Sequence, residues 1–140
     1  MKKKIADMWV KALRSGEYEQ AVGTLVEVDH DNGDILGHCC LGVLCELAVK
    51  EGVKVDRKDT VEIVEDGCSH FTMISFDGSE AVLPDSVQKW AGMGSHDGGL
   101  PGRDVDEEGY PIRESLASMN DAGAPFEKIA NLIESEYKSL

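Results

Sequence analysis

The sequence predicts a single α+β domain over residues 1–140: a small antiparallel sheet or meander packed with about five helices, one of them central and buried. Three observations predict this. The run His38-Cys39-Cys40-Leu41-Gly42-Val43-Leu44-Cys45-Glu46-Leu47-Ala48 is apolar on nearly every helical face, the pattern of a helix enclosed on several sides. Amphipathic spacing recurs towards both ends of the chain. Between them, short β-rich stretches alternate with Asn-Gly and Asp-Gly turns. A chain of 140 residues is long enough for one substantial core.

The elements follow in order. Ile5, Met8, Trp9, Ala12 and Leu13 fall at helical spacing, so residues 3–14 form an amphipathic helix, ended by Ser15-Gly16. The opening Met1-Lys2-Lys3-Lys4 resembles an export signal, but Asp7, Lys11 and Arg14 interrupt the apolar stretch that a signal needs. Residues 18–22 suit a short helical turn, and residues 24–28 read as a strand before the Asn32-Gly33 turn. The central helix spans residues 40–51 and ends at Gly52, with Glu46 and Lys50 on its wet edge. Residues 53–55, 60–64, 71–76 and 81–83 read as strands joined through Asp66-Gly67 and Asp77-Gly78. A short helix from Pro84 to Trp90 closes at Gly92. Residues 114–121 and 125–137 form a last helix pair separated by Gly123, with Pro125 at a first helical position. Phe126, Ile129, Ile133 and Tyr137 make the buried stripe of the final helix. The long Gly-rich and acidic segment 94–111 reads as a working loop, a lid, or a disordered stretch.

The net charge of −13 argues against nucleic acid as a partner, because phosphate backbones need a basic surface. It leaves room for a small nucleotide, for an acidic DNA mimic, and for charge that serves solubility. No run is long enough to span a membrane. The cysteines of a cytoplasmic chain are thiols, and neighbours such as Cys39 and Cys40 seldom bond each other.

Four chemistries deserve weighing. Zinc is poorly served: Cys40 and Cys45 lie about 140° apart around a helix, and Cys68 with His70 supplies half a site. Buried cysteine acting as a small hydrophobe is the plainer reading. Calcium is poorly served too. Asp104-x-Asp106-x-Glu108-Gly109 opens like an EF-hand loop, but Ser115 stands at the twelfth position and Glu114 falls one place early. Residues 29–34 place their glycine one position early. No Gly-x-Ser-x-Gly elbow is present, and a thiol nucleophile at Cys39 or Cys40 lacks an identifiable third group. The sequence therefore predicts no metal, no cofactor and no catalytic residue.

Anion binding is the fourth. Gly37 and Gly42 flank the start of the central helix, where small residues expose N–H groups and the dipole favours negative charge. Close packing is the alternative use of both glycines. Trp9 and Trp90 offer stacking faces if either lines a cleft, and core positions if neither does. Arg14, Tyr18 and Gln20 can supply charge and hydrogen bonds to phosphate and ribose, and Arg103 can close over such a ligand.

The motifs Trp9-x-x-Ala12-Leu13-Arg14-Ser15-Gly16-x-Tyr18-x-Gln20, Cys39-Cys40-Leu41-Gly42-Val43-Leu44-Cys45-x-Leu47-Ala48 and Leu83-Pro84-x-x-Val87-x-x-Trp90-x-Gly92 carry a further signal. Together with Met119-Asn120-Asp121-x-Gly123-x-x-Phe126-x-x-Ile129-Ala130-x-x-Ile133-Glu134, they make the chain resemble small bacteriophage-encoded proteins. The resemblance covers most of the chain outside residues 53–80 and 94–111. Ala124 departs from it, where a serine cap is expected. The resemblance implies a counter-defence protein in the host bacterial cytoplasm that sequesters a nucleotide-derived immune signal without cleaving it. That signal is a cyclic ADP-ribose isomer or a cyclic oligonucleotide. On that reading Cys39, Cys40, Gly42 and Arg14 hold phosphate, and Trp90 or Trp9 stacks on the base. Tyr18, Gln20, Asn120 and Asp121 reach ribose or base edges. A homo-oligomer, in its simplest form a dimer, encloses more of such a ligand. Two alternatives stand beside it. One is an acidic protein-binding inhibitor or DNA mimic using residues 17–34 and 104–114. The other is an enzyme degrading the same nucleotide through Cys39, Cys40 or Asp121.

Overall fold

A computed structural model describes residues 1–63, 70–100 and 114–140, and gives the backbone alone for residues 60–63 and 70–72. It has five helices and two antiparallel strand pairs among these residues: α1 (Lys3–Arg14), β1 (Val26–Val28), β2 (Ile35–His38), α2 (Cys40–Lys50), β3 (Arg57–Ile63), β4 (His70–Phe76), α3 (Asp85–Ala91), α4 (Leu116–Asp121) and α5 (Phe126–Glu136). The small α+β fold and its central helix are as the sequence predicts.

α2 is the centre. Cys40, Leu41, Val43, Leu44, Cys45 and Ala48 have no exposure, and α1, α3, α4 and β2 pack around it. Gly42 permits that enclosure. A Cβ there would stand 1.8 Å from the Leu25 carbonyl oxygen, so the helix lies directly on the backbone that leads into β1. α1 packs along α5 and buries Ile5, Ala6, Trp9, Val10 and Leu13. The expected stripe is thus turned: Ala6 and Val10 are inside, while Met8 and Ala12 lie at its margin.

The single meander is replaced by two hairpins. β1 pairs with β2, with a bulge between Glu27 and Val28, and β3 pairs with β4 from Arg57↔Phe76 to Ile63↔His70. β2 was absent from the sequence reading. Residues 53–55 and 81–83 are not strands, and residues 18–22 form no helical turn. The 19–21 segment runs extended beside β2 instead, with the His38 N–H donating to Glu19 O and the Ala21 N–H donating to His38 O. Those bonds satisfy backbone groups that a helical turn would have used internally. Asp77-Gly78 does form the expected tight turn, with Phe76 and Ser79 exchanging backbone hydrogen bonds. The Asp66-Gly67 turn lies outside the described residues.

Helix ends follow local chemistry. Gly92 closes α3 in the left-handed conformation at φ 70°, which glycine adopts without a Cβ clash. Ser115 and Ser118 make a reciprocal capping box at the start of α4. Pro125 sits at the N-cap of α5, one place earlier than expected, with no side-chain cap bond there. Residues 94–100 are tied down. Leu83 N–H donates to His96 O, Leu116 N–H to Gly98 O, and Leu100 N–H to Glu114 O. The rest of the expected lid, residues 101–111, lies outside the described residues.

Replacing Gly42 with alanine forces α2 away from backbone that cannot yield. Gly42→Ala is expected to lose about 3 kcal/mol or more in urea unfolding. A loss below about 1 kcal/mol would contradict the close approach.

Candidate functional site

The start of α2 was the expected anion site, and the Cys39, Cys40 and Gly42 N–H groups there are already engaged. The Cys40 N–H donates to Asn120 Oδ1 at 3.1 Å, the Gly42 N–H to Cys39 Sγ at 3.4 Å, and the Val43 N–H to Cys39 O at 3.1 Å. The Cys40 and Gly42 N–H groups are among the donors a helix N-terminus normally leaves open, whereas the Val43 bond is the first regular bond of the helix. The Cys39 N–H donates to Leu25 O, and the Cys40 carbonyl accepts from the Trp9 indole N–H at 2.9 Å. Trp9 has no solvent exposure. Burial pushes the Cys39, Cys40 and Cys45 thiols above their ordinary values, away from the thiolate form a nucleophile needs. Cys68 lies outside the described residues. Among the described residues no three His, Cys, Asp or Glu side chains are grouped to hold a metal ion.

The other expected ligand residues are joined to distant parts of the chain. Asn120 is fully buried, and its Nδ2 donates to Ala21 O at 2.8 Å. Gln20 Nε2 donates to Asn120 Oδ1 and to Ala124 O. Asp121 Oδ1 accepts from the Gly23 N–H at 2.9 Å. Arg14 binds Glu127, Asn131 and Glu134, fastening α1 to α5. Trp90 is half-buried against the core. Arg103 lies outside the described residues. The structure therefore brings Cys39, Cys40, Gly42, Gln20, Asn120 and Asp121 into one region, and their polar groups face each other across it. Arg14 is bound to α5, and Tyr18 belongs to a second cluster.

That cluster was not read from the sequence. His38, Glu46 and Arg57 meet at the junction of β2, α2 and β3. Arg57 Nε donates to Glu46 Oε1 at 3.1 Å, and His38 Nε2 stands 3.5 Å from the same oxygen. The His38 atom is buried and makes no hydrogen bond within the described residues, so its approach to Glu46 is an ion-pair distance only. The Tyr18 ring meets the His38 ring edge-on at 5.1 Å, and the Tyr18 hydroxyl accepts from Lys50 Nζ. Burial pushes the Glu46 carboxyl up, but the His38 ring and the Arg57 guanidinium outweigh it and hold the group below its ordinary value. His38 and Glu46 are eight residues apart in sequence, on different elements, so no local spacing announces the pair.

An accessible feature lies on the β1–β2 hairpin. A cavity of about 520 Å³ opens there, with Val26, Val28, Leu36 and Met73 supplying apolar lining and Thr24, Glu27, Asp29, His30 and Asp31 the polar lining. Ile35 and Leu36 are 47% and 49% exposed beside it. The Asp29 carboxylate turns inward to accept from the Asp31 N–H, whereas Glu27, Asp31 and Asp34 project from an exposed loop and strand. An apolar patch beside carboxylates repels phosphate and suits a cationic surface. The signal available in sequence was Ile35-Leu36 following the acidic run at residues 29–34.

Residues 1–137 match the model of a family described as a domain of unknown function (DUF8296). The chain belongs to that family. No curated protein matches the chain, and neither does any solved structure. The match spans α1 through α5, so the hairpin and the enclosed α2 both fall within the DUF8296 region. No helix among the described residues is long and apolar enough to cross a membrane.

The lowered Glu46 carboxyl stabilises the folded state above the ordinary carboxylate range. That contribution fades as pH falls through its lowered value. Glu46→Gln should therefore cost about 1–2 kcal/mol near neutral pH, and the gap to the parent protein should shrink in acid. Urea unfolding across that pH range measures it; a gap independent of pH would refute the assignment.

Proposed function

We propose that this protein is a non-enzymatic binding protein that docks a positively charged partner protein on its β1–β2 hairpin. The observation that carries the reading is the exposed Ile35–Leu36 pair beside a groove lined in part by Glu27, Asp29 and Asp31. Apolar residues at the centre of a contact supply affinity, and the surrounding charge supplies attraction and orientation. The net charge of −13 extends the same field over the whole molecule. The resemblance to small bacteriophage proteins makes a host defence protein the natural partner, with inhibition by occupancy as the mode of action.

Sequestration of a nucleotide-derived signal draws less support. The Cys40 and Gly42 N–H groups, expected phosphate donors at the start of α2, are bonded within the protein, and the open groove carries the wrong charge for phosphate. Two exposed substitutions decide between the readings. The parent protein should retain a basic host protein from cell extract, and the Ile35→Ser/Leu36→Ser variant should retain it at least about tenfold more weakly. Retention should also weaken as salt rises. Equal retention by the variant would overturn the proposal. So would calorimetric binding of a cyclic nucleotide with no partner protein held.

A further inference from the structure

The groove has a complement on the same chain. The exposed face of α1 carries a second depression, of about 440 Å³, lined by Lys3, Lys4, Asp7, Met8 and Lys11. Met8 is the half-buried floor, and the lysines stand around it. The hairpin presents the reverse arrangement: exposed apolar Ile35 and Leu36 beside a groove lined in part by Glu27, Asp29 and Asp31.

The charges on the two faces are differently committed. Lys3 is held by Asp7 at 2.8 Å and lies over the Tyr137 ring. Lys4 and Lys11 are exposed and make no ion pair among the described residues, as do Glu27 and Asp31 on the hairpin. The lysines are also placed against the helix's own field. Lys3 and Lys4 occupy the first turn of α1, which contains no acidic residue. A helix N-terminus is partially positive, so cations there are unfavourable unless something else compensates. A chain with 27 acidic residues against 14 Lys and Arg has ample carboxylates to use at that position. It uses lysines.

We infer that the hairpin groove of one copy docks on the lysine-edged α1 face of a second copy. This rests on the reading of the hairpin as a docking surface and names its occupant when no other partner is present. The contact joins two different patches. Made reciprocally about a two-fold axis, it closes a dimer; made head to tail, it extends. A basic host protein would compete with the second copy for the same groove.

Charge reversal tests this on exposed positions. Sedimentation of the full chain should show concentration-dependent self-association. Lys4→Glu/Lys11→Glu and Glu27→Lys/Asp31→Lys should each weaken it at least about tenfold. Mixing the two variants should restore association, because each supplies the charge that the other reversed. Matching circular dichroism spectra exclude misfolding as the cause. A parent protein that sediments as a monomer at all concentrations would overturn the inference, as would variants that associate normally or fail to rescue each other. Loss of the host partner on Ile35→Ser/Leu36→Ser in a monomeric protein would leave the docking reading standing and remove this one alone.

Discussion

Asn120, on α4, lies with no solvent exposure where that helix meets the 20–21 segment and the start of α2, and its carboxamide bonds to both. Its oxygen accepts from the Cys40 N–H and from Gln20, and its nitrogen donates to Ala21 O. An unpaired polar group at such depth costs about 1–3 kcal/mol, so the three partners are strongly coupled. Around this point the helix can enter the core with its Cys40 and Gly42 amides satisfied. Gly42 then lets it rest on the Leu25 backbone, and the Trp9 indole closes the other side through the Cys40 carbonyl. The enclosed α2, the position of the β1–β2 hairpin and the burial of the thiols follow from that arrangement.

The same arrangement separates structural polarity from functional polarity. Gln20, Asn120, Asp121 and Arg14 each bind a group that lies far away in sequence. These bonds hold α1, α4, α5 and the 19–23 segment together. Among the polar groups that face outward are carboxylates on the hairpin and lysines on α1. A binding role at these surfaces leaves the core chemistry untouched, whereas one at the helix start would have to dismantle it.

Much of the fold was legible. The apolar run at residues 40–51 and the amphipathic stretches at both ends declared their helices through periodicity, which is a local property. Asp77-Gly78 and Gly92 declared their turns through backbone preference. β2 escaped notice because only its first two residues are apolar and exposed, and its partner on the other side is the irregular 19–21 segment. The site was less legible. A polar residue at a helix end reads alike whether its partner is a ligand or a distant backbone amide. Asn120 and Cys40 are eighty residues apart, so nothing near either one distinguishes the two uses. His38, Glu46 and Arg57 likewise become neighbours only after β2, α2 and β3 have packed.

The central claim is that the protein itself seals the start of α2. Native-state hydrogen exchange at the Cys40 amide tests it most directly, since that N–H is donated to a buried side-chain oxygen. The account predicts exchange only through global unfolding, with protection matching the free energy from denaturant titration. Exchange at the rate of a frayed or solvent-open helix end would contradict it, and would return the helix start to consideration as a site for an anion.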